Sequence, residues 1–93
     1  DQKARIMNIE QDYQAKRDQF TKQMRQANLS LADVIEEEGY ESGKVRPRVT
    51  EIHRAMGELQ NLSLTHLAAI EAVLNPEQAA LLKSNAVETL RQN

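Results

Sequence analysis

Cysteine is absent from all 93 residues, which excludes disulfide staples, thiolate metal sites and thiol nucleophiles. Tryptophan is absent too, and the aromatic residues are Tyr13, Phe20 and Tyr40, too sparse to form stacking platforms for bases. Neither sign of charge dominates: Lys plus Arg is 12, Asp plus Glu is 14, and the net charge is −2. A nucleic-acid binder would carry a basic stripe, so no nucleic-acid partner is expected. No apolar run approaches the length of a membrane span, and no secretory signal pattern is visible. The chain opens at Asp1 without a methionine, so an upstream segment is expected.

What is present reads as helix throughout. Apolar residues make up 40% and charged residues 28%, the balance of a folded helical chain forming one small domain over residues 1–93. Ile6, Ile9, Tyr13, Phe20, Met24, Ala27, Leu31, Val34 and Ile35 recur at three- and four-residue steps and fall on one stripe. No proline or glycine interrupts residues 3 to 37. A helix of that size is about 50 Å long, whereas a compact domain of this length has a radius of gyration of about 13 Å. The molecule is therefore expected to be elongated, with dimerisation covering the long apolar stripe.

The first break is Gly39-Tyr40-Glu41-Ser42-Gly43-Lys44. It departs from a phosphate-binding loop in three ways: three residues separate the glycines instead of four, Val45 follows the lysine, and a helix precedes it instead of a strand. It reads as a helix-to-helix turn. The second helix is expected from near Pro47, a residue tolerated in a first turn, to Val73 or Leu74. Its buried face comprises Ile52, Ala55, Met56, Leu59, Leu62, Leu67, Ile70, Val73 and Leu74. The third begins with Asn75 as N-cap, Pro76 at the first helical position and Gln78 two further on, a capping-box arrangement. Ala79, Leu82, Ala86, Val87 and Leu90 form its apolar side. The fold class is all-α: an antiparallel helical hairpin followed by a shorter C-terminal helix.

Little of this chain offers chemistry. His53 and His66 lie on the second helix about 220° apart after whole turns, so they cannot chelate one ion together. His53, beside Glu51, Arg54 and Gly57, reads as a solvated helix residue. His66 falls between Leu59 and Val73 inside the buried stripe, where an imidazole needs partners for both nitrogens. The bland reading is a hydrogen-bonded core histidine, and the sharper one is a ligand. Glu10, on the flank of the first stripe, is level with His66 if the two helices pair antiparallel. A carboxylate and an imidazole meeting between helices is how bundles build metal sites, although tight transition-metal sites take three or more ligands. Alone, Glu10 could equally snorkel or pair with a Lys or Arg. No serine sits at a suggestive spacing from a histidine and a carboxylate, so no enzymatic activity is expected. The sequons at Asn28 and Asn61 fall mid-helix and read as chance.

Two stretches, "IEQDYQAKRDQFTKQMRQANLSLADVI" and "RAMGELQNLSLTHLAAIEAVLNPEQ", resemble the CnrX-like periplasmic heavy-metal sensors, related to the broader Spy- and CpxP-like group. The resemblance covers residues 3 to about 90 and is most specific in "MRQAN", "MGELQ", "THLAAIEAVL" and "LNPEQ". It implies a hooked helical hairpin that forms a homodimer outside the cytoplasmic membrane, binds cobalt or nickel, and signals to a membrane partner such as an anti-sigma factor. The family's glutamate on the first long helix falls on Glu10, and its late histidine falls on His66. Its methionine, one turn after that histidine, is replaced here by Ile70, and its His-x-x-x-His pair would lie upstream of Asp1. A nitrogen and oxygen site without the thioether would suit zinc or copper as well. Two rival readings remain: a Spy- or CpxP-like periplasmic chaperone or envelope-stress adaptor, and a plain helical dimerisation module.

Overall fold

In the computed structural model, which describes residues 1–93, three helices follow one another: α1 (Gln2–Glu38), α2 (Val45–Val73) and α3 (Pro76–Gln92). Helix α1 starts where the Asp1 carboxylate accepts the Lys3 backbone N–H at 3.1 Å. It continues for 37 residues because nothing in its sequence breaks the backbone ladder. It stops at Gly39, whose φ of 88° is a conformation that L side chains rarely adopt, and whose N–H closes on the Ile35 carbonyl at 2.9 Å.

The turn is held by local chemistry. The Ser42 hydroxyl donates to Glu38 Oε1 at 3.1 Å, and Lys44 Nζ lies 2.7 Å from Glu38 Oε2. Lys44, the residue that gave the loop its superficial likeness to a phosphate cradle, is thus paired with its own chain. Helix α2 begins two residues before Pro47, earlier than the sequence suggests. Pro47 remains within the first turn, where a backbone N–H has no intrahelical partner to lose. At the next corner the capping box forms as its residues dictate. Asn75 Oδ1 accepts the Gln78 N–H at 2.8 Å, and the Asn75 N–H donates to Gln78 Oε1 at 3.2 Å.

Helices α1 and α2 pack along their length as an antiparallel hairpin, whereas α3 packs on α2 and meets α1 through the Gln2–Gln78 hydrogen bond. The only buried residues, Ala27, Val34 and Ala55, are small or β-branched and mark where the two long helices approach closely. The molecule measures 55 × 28 × 13 Å, with a radius of gyration of 17.9 Å. A compact chain of this length would have a radius of about 12–13 Å. Its accessible surface is 7266 Å², against about 5,500 Å² for a compact monomer of the same mass.

Three residues assigned to buried faces from periodicity are exposed: Met56 on α2, and Val87 and Leu90 on α3. The physical reason is the number of layers. A two-helix hairpin covers one stripe of each helix, and a third helix packed on α2 leaves its own outer flank uncovered. No helix is long and apolar enough to cross a membrane.

Candidate metal centre

The two residues singled out in the sequence meet. His66 Nε2 stands 3.2 Å from Glu10 Oε1, bridging α2 and α1. The histidine side chain is only 11% exposed and the glutamate 49%, so a fixed imidazole faces a carboxylate that remains in contact with water. The antiparallel register brings them level. At the same end of the molecule, Gln2 Nε2 donates to the Val73 carbonyl and to Gln78 Oε1, both at 3.1 Å. The Val73 carbonyl lies among the last of α2, which have no intrahelical donor, so Gln2 satisfies an orphan group while fixing the start of α1 on the α2–α3 corner.

His66 is also stacked. The Tyr13 ring lies 4.1 Å from the imidazole, centroid to centroid, with 19° between the planes. Tyr13 is three residues after Glu10, so neighbouring positions on one helical flank supply both a carboxylate and an aromatic platform. The remaining ring nitrogen, Nδ1, is buried and has no hydrogen-bond partner. Beside the ring a shallow cavity of about 170 Å³ opens between the helices, with Asp12 and Lys16 of α1 and Thr65 of α2 on its walls. His53, in contrast, is exposed and far from this pair, as its position on the helix predicted.

The donor pair is spaced as two ligands of one ion can be. Two ligands bonded at about 2.1 Å are about 3.0 Å apart at a right angle and about 3.4 Å apart at a tetrahedral angle. The observed 3.2 Å lies between these values. The fit stops at two donors, because no cluster of three or more His, Cys, Asp or Glu exists in the chain. Ile70, half-buried one turn beyond His66, offers no donor atom.

A family model described as heavy-metal resistance matches residues 1–80. The chain belongs to the heavy-metal resistance family. Among curated proteins, this family member is similar to the nickel and cobalt resistance protein CnrR of Cupriavidus metallidurans, with 30% identity over 88 residues. Those residues are 94% of this chain and 60% of CnrR, so the chain spans about three fifths of the length of the relative it matches.

Two features of the centre were not read from the sequence. Tyr13 was assigned only to the apolar stripe, although its spacing from Glu10 was a usable signal. The Gln2 bridge had no signal at all, since a glutamine beside a helix start is unremarkable until the α2–α3 corner is placed next to it.

Proposed function

We propose that this heavy-metal resistance domain binds a transition-metal ion (nickel, cobalt, zinc or copper) between Glu10 and His66, and reports its occupancy to a membrane partner such as an anti-sigma factor. The observation that carries the reading is the 3.2 Å convergence of two metal-competent donors from different helices. His66 supplies an uncharged nitrogen lone pair from a nearly buried ring, and Glu10 supplies negative charge from the wet side. Water or a further protein element completes the coordination. A bound ion would act as a Lewis acid clamp between helices, and the role is binding and signalling without catalysis.

Signalling follows from where the donors sit. A metal shifts a conformational equilibrium only by its differential affinity for the two states. Donors on separate helices meet in one arrangement and part in another, which supplies that difference. The reading places the domain in the periplasm, on the strength of its likeness to CnrX-like sensors. It also places the domain in a homodimer, supported by an accessible surface well above that of a compact monomer.

A second reading, a Spy- or CpxP-like periplasmic chaperone or adaptor, is favoured by one feature. An apolar groove of about 320 Å³ runs between α2 and α3, lined by Leu64, Leu67, Leu82, Ala86 and Leu90.

Calorimetric titration with nickel, cobalt, zinc and copper ions separates these readings. The parent protein should bind at least one ion, and His66→Ala and Glu10→Ala should each weaken it by about 100-fold or more. Absence of binding to the parent would sink the metal reading. Unchanged affinity in both variants would sink the site. Suppression of aggregation of an unfolded client by a protein that binds no metal would favour the chaperone reading.

A further inference from the structure

A histidine that binds metal through one nitrogen ordinarily donates its other N–H to a carboxylate or carbonyl, and that hydrogen bond fixes the plane of the ring. His66 has no such partner: Nδ1 is buried and unpaired. Hydrogen bonding therefore does not set how the ring is turned about its bond to Cβ. The near-parallel contact with Tyr13 remains, with ring centroids 4.1 Å apart and planes 19° from parallel. That separation is close to van der Waals contact, so rotating the imidazole would drive one of its edges into the phenol face.

We propose that Tyr13 is the positioning residue of the metal centre: its ring face holds the His66 imidazole in the plane that presents Nε2 to Glu10. The proposal rests on Glu10 and His66 holding the ion. Tyr13 touches no metal itself. It takes the place of the missing hydrogen-bond partner by a contact that fixes orientation without accepting a proton. Glu10 and Tyr13 lie on one flank of α1, three residues apart, so any axial rotation of α1 moves donor and platform together. The aromatic face is the working part and the phenol hydroxyl is dispensable.

The test compares Tyr13→Leu, Tyr13→Phe and the parent by nickel and zinc calorimetry alongside circular dichroism melts. Tyr13→Leu should lose roughly 10- to 100-fold in affinity, more than any change in melting temperature accounts for, and Tyr13→Phe should bind as the parent does. Parental affinity in Tyr13→Leu overturns the positioning role while leaving the metal site standing. Equal loss in Tyr13→Leu and Tyr13→Phe overturns the stacking account in favour of the hydroxyl. No binding to the parent overturns the underlying metal reading, and this proposal with it.

A second measurement does not depend on the leucine variant folding. Tyr40 is exposed in the turn at the far end of the hairpin, and the chain has two tyrosines and no tryptophan. Tyr40→Phe therefore leaves Tyr13 as the sole strong emitter. Nickel, an open-shell ion, should quench its fluorescence with the midpoint found by calorimetry, and closed-shell zinc should reverse the quenching by competition. Emission indifferent to nickel at saturating occupancy places Tyr13 away from the loaded site and overturns the proposal.

Discussion

Glu10 and His66 face each other across the hairpin with 3.2 Å between Oε1 and Nε2, the carboxylate half in water and the imidazole nearly out of it. The asymmetry separates what each contributes. With the carboxylate half in water, its contact with His66 is screened and adds at most about 1 kcal/mol to stability, so the chain does not depend on Glu10 to fold. Glu10→Gln, which keeps the shape and removes the charge, should leave the melting temperature within a few degrees of the parent. The same variant should bind divalent ions about 10-fold more weakly or worse. Thermal denaturation with calorimetry on one sample checks both, and a large drop in melting temperature would make Glu10 structural instead.

Ile70 sits one turn beyond His66 on the same helix, half-buried. Ile70→Met replaces a branched side chain with an unbranched one of similar volume, at a cost expected below about 1.5 kcal/mol. It places a thioether one helical turn beyond His66. Affinity for nickel and cobalt should rise relative to zinc, because a sulfur donor favours softer ions. Competition titrations measure the ratio, and an unchanged ratio would show that position 70 does not face the ion.

Two glycines should respond with opposite signs. Gly39 has a φ of 88°, and a Cβ there would meet nothing within 4 Å, so Gly39→Ala suffers from backbone strain alone. It should destabilise by roughly 1–3 kcal/mol. Gly57 lies inside α2, also with open space around its Cβ position. Gly57→Ala should stabilise by roughly 0.5–1 kcal/mol, since the unfolded chain loses freedom and the helix gains nothing to clash with. Urea denaturation of both variants gives the signs directly.

The turn holds a pH-sensitive pair. Hydrogen bonds from Lys44 and then Ser42 hold the Glu38 carboxyl below its usual value of 4.5. The hydrogen bond to Glu38, with its charge, holds the Lys44 ammonium above its usual 10.5. A depressed acid contributes fully above its unfolded value and loses that contribution as pH falls through its folded one. A raised base contributes fully below its unfolded value and loses that contribution as pH climbs through its folded one. The pair is therefore intact across the neutral range and fails at both extremes. Melting curves should show Glu38→Gln differing from the parent between those limits and converging with it in strong acid. Both side chains remain in contact with water, Lys44 at 66% and Glu38 at 39% exposure, so the difference is small and should shrink with added salt.

Most of the fold was legible because its signals are local. The capping box at Asn75 and Gln78 needs only residues three apart, and the long α1 stripe needs only its three- and four-residue steps. The exposure of Met56, Val87 and Leu90 was not legible, because periodicity tells which residues share a face and not whether another layer arrives to cover it. Glu10 and His66 could be named from the stripe, antiparallel pairing and family resemblance, and the structure places them in contact. The spacing of Tyr13 from Glu10 marks a shared flank, but the stacking of its ring and the bare Nδ1 were beyond reach, since side-chain orientation depends on how two helices are rotated about their own axes.

The sequence by itself determined that this chain is helical, cysteine-free, broken at Gly39 and capped at Asn75, and marked by the motifs of a metal-resistance family. These properties follow from backbone propensities and short-range hydrogen bonds, which act within a few residues. Only the tertiary structure decided that a carboxylate and an imidazole far apart in sequence stand 3.2 Å apart, and that an aromatic ring stacks on that imidazole. Those facts depend on the register and rotation of α1 against α2. Packing of the whole interface around Ala27, Val34 and Ala55 sets both, and no short stretch of sequence encodes them.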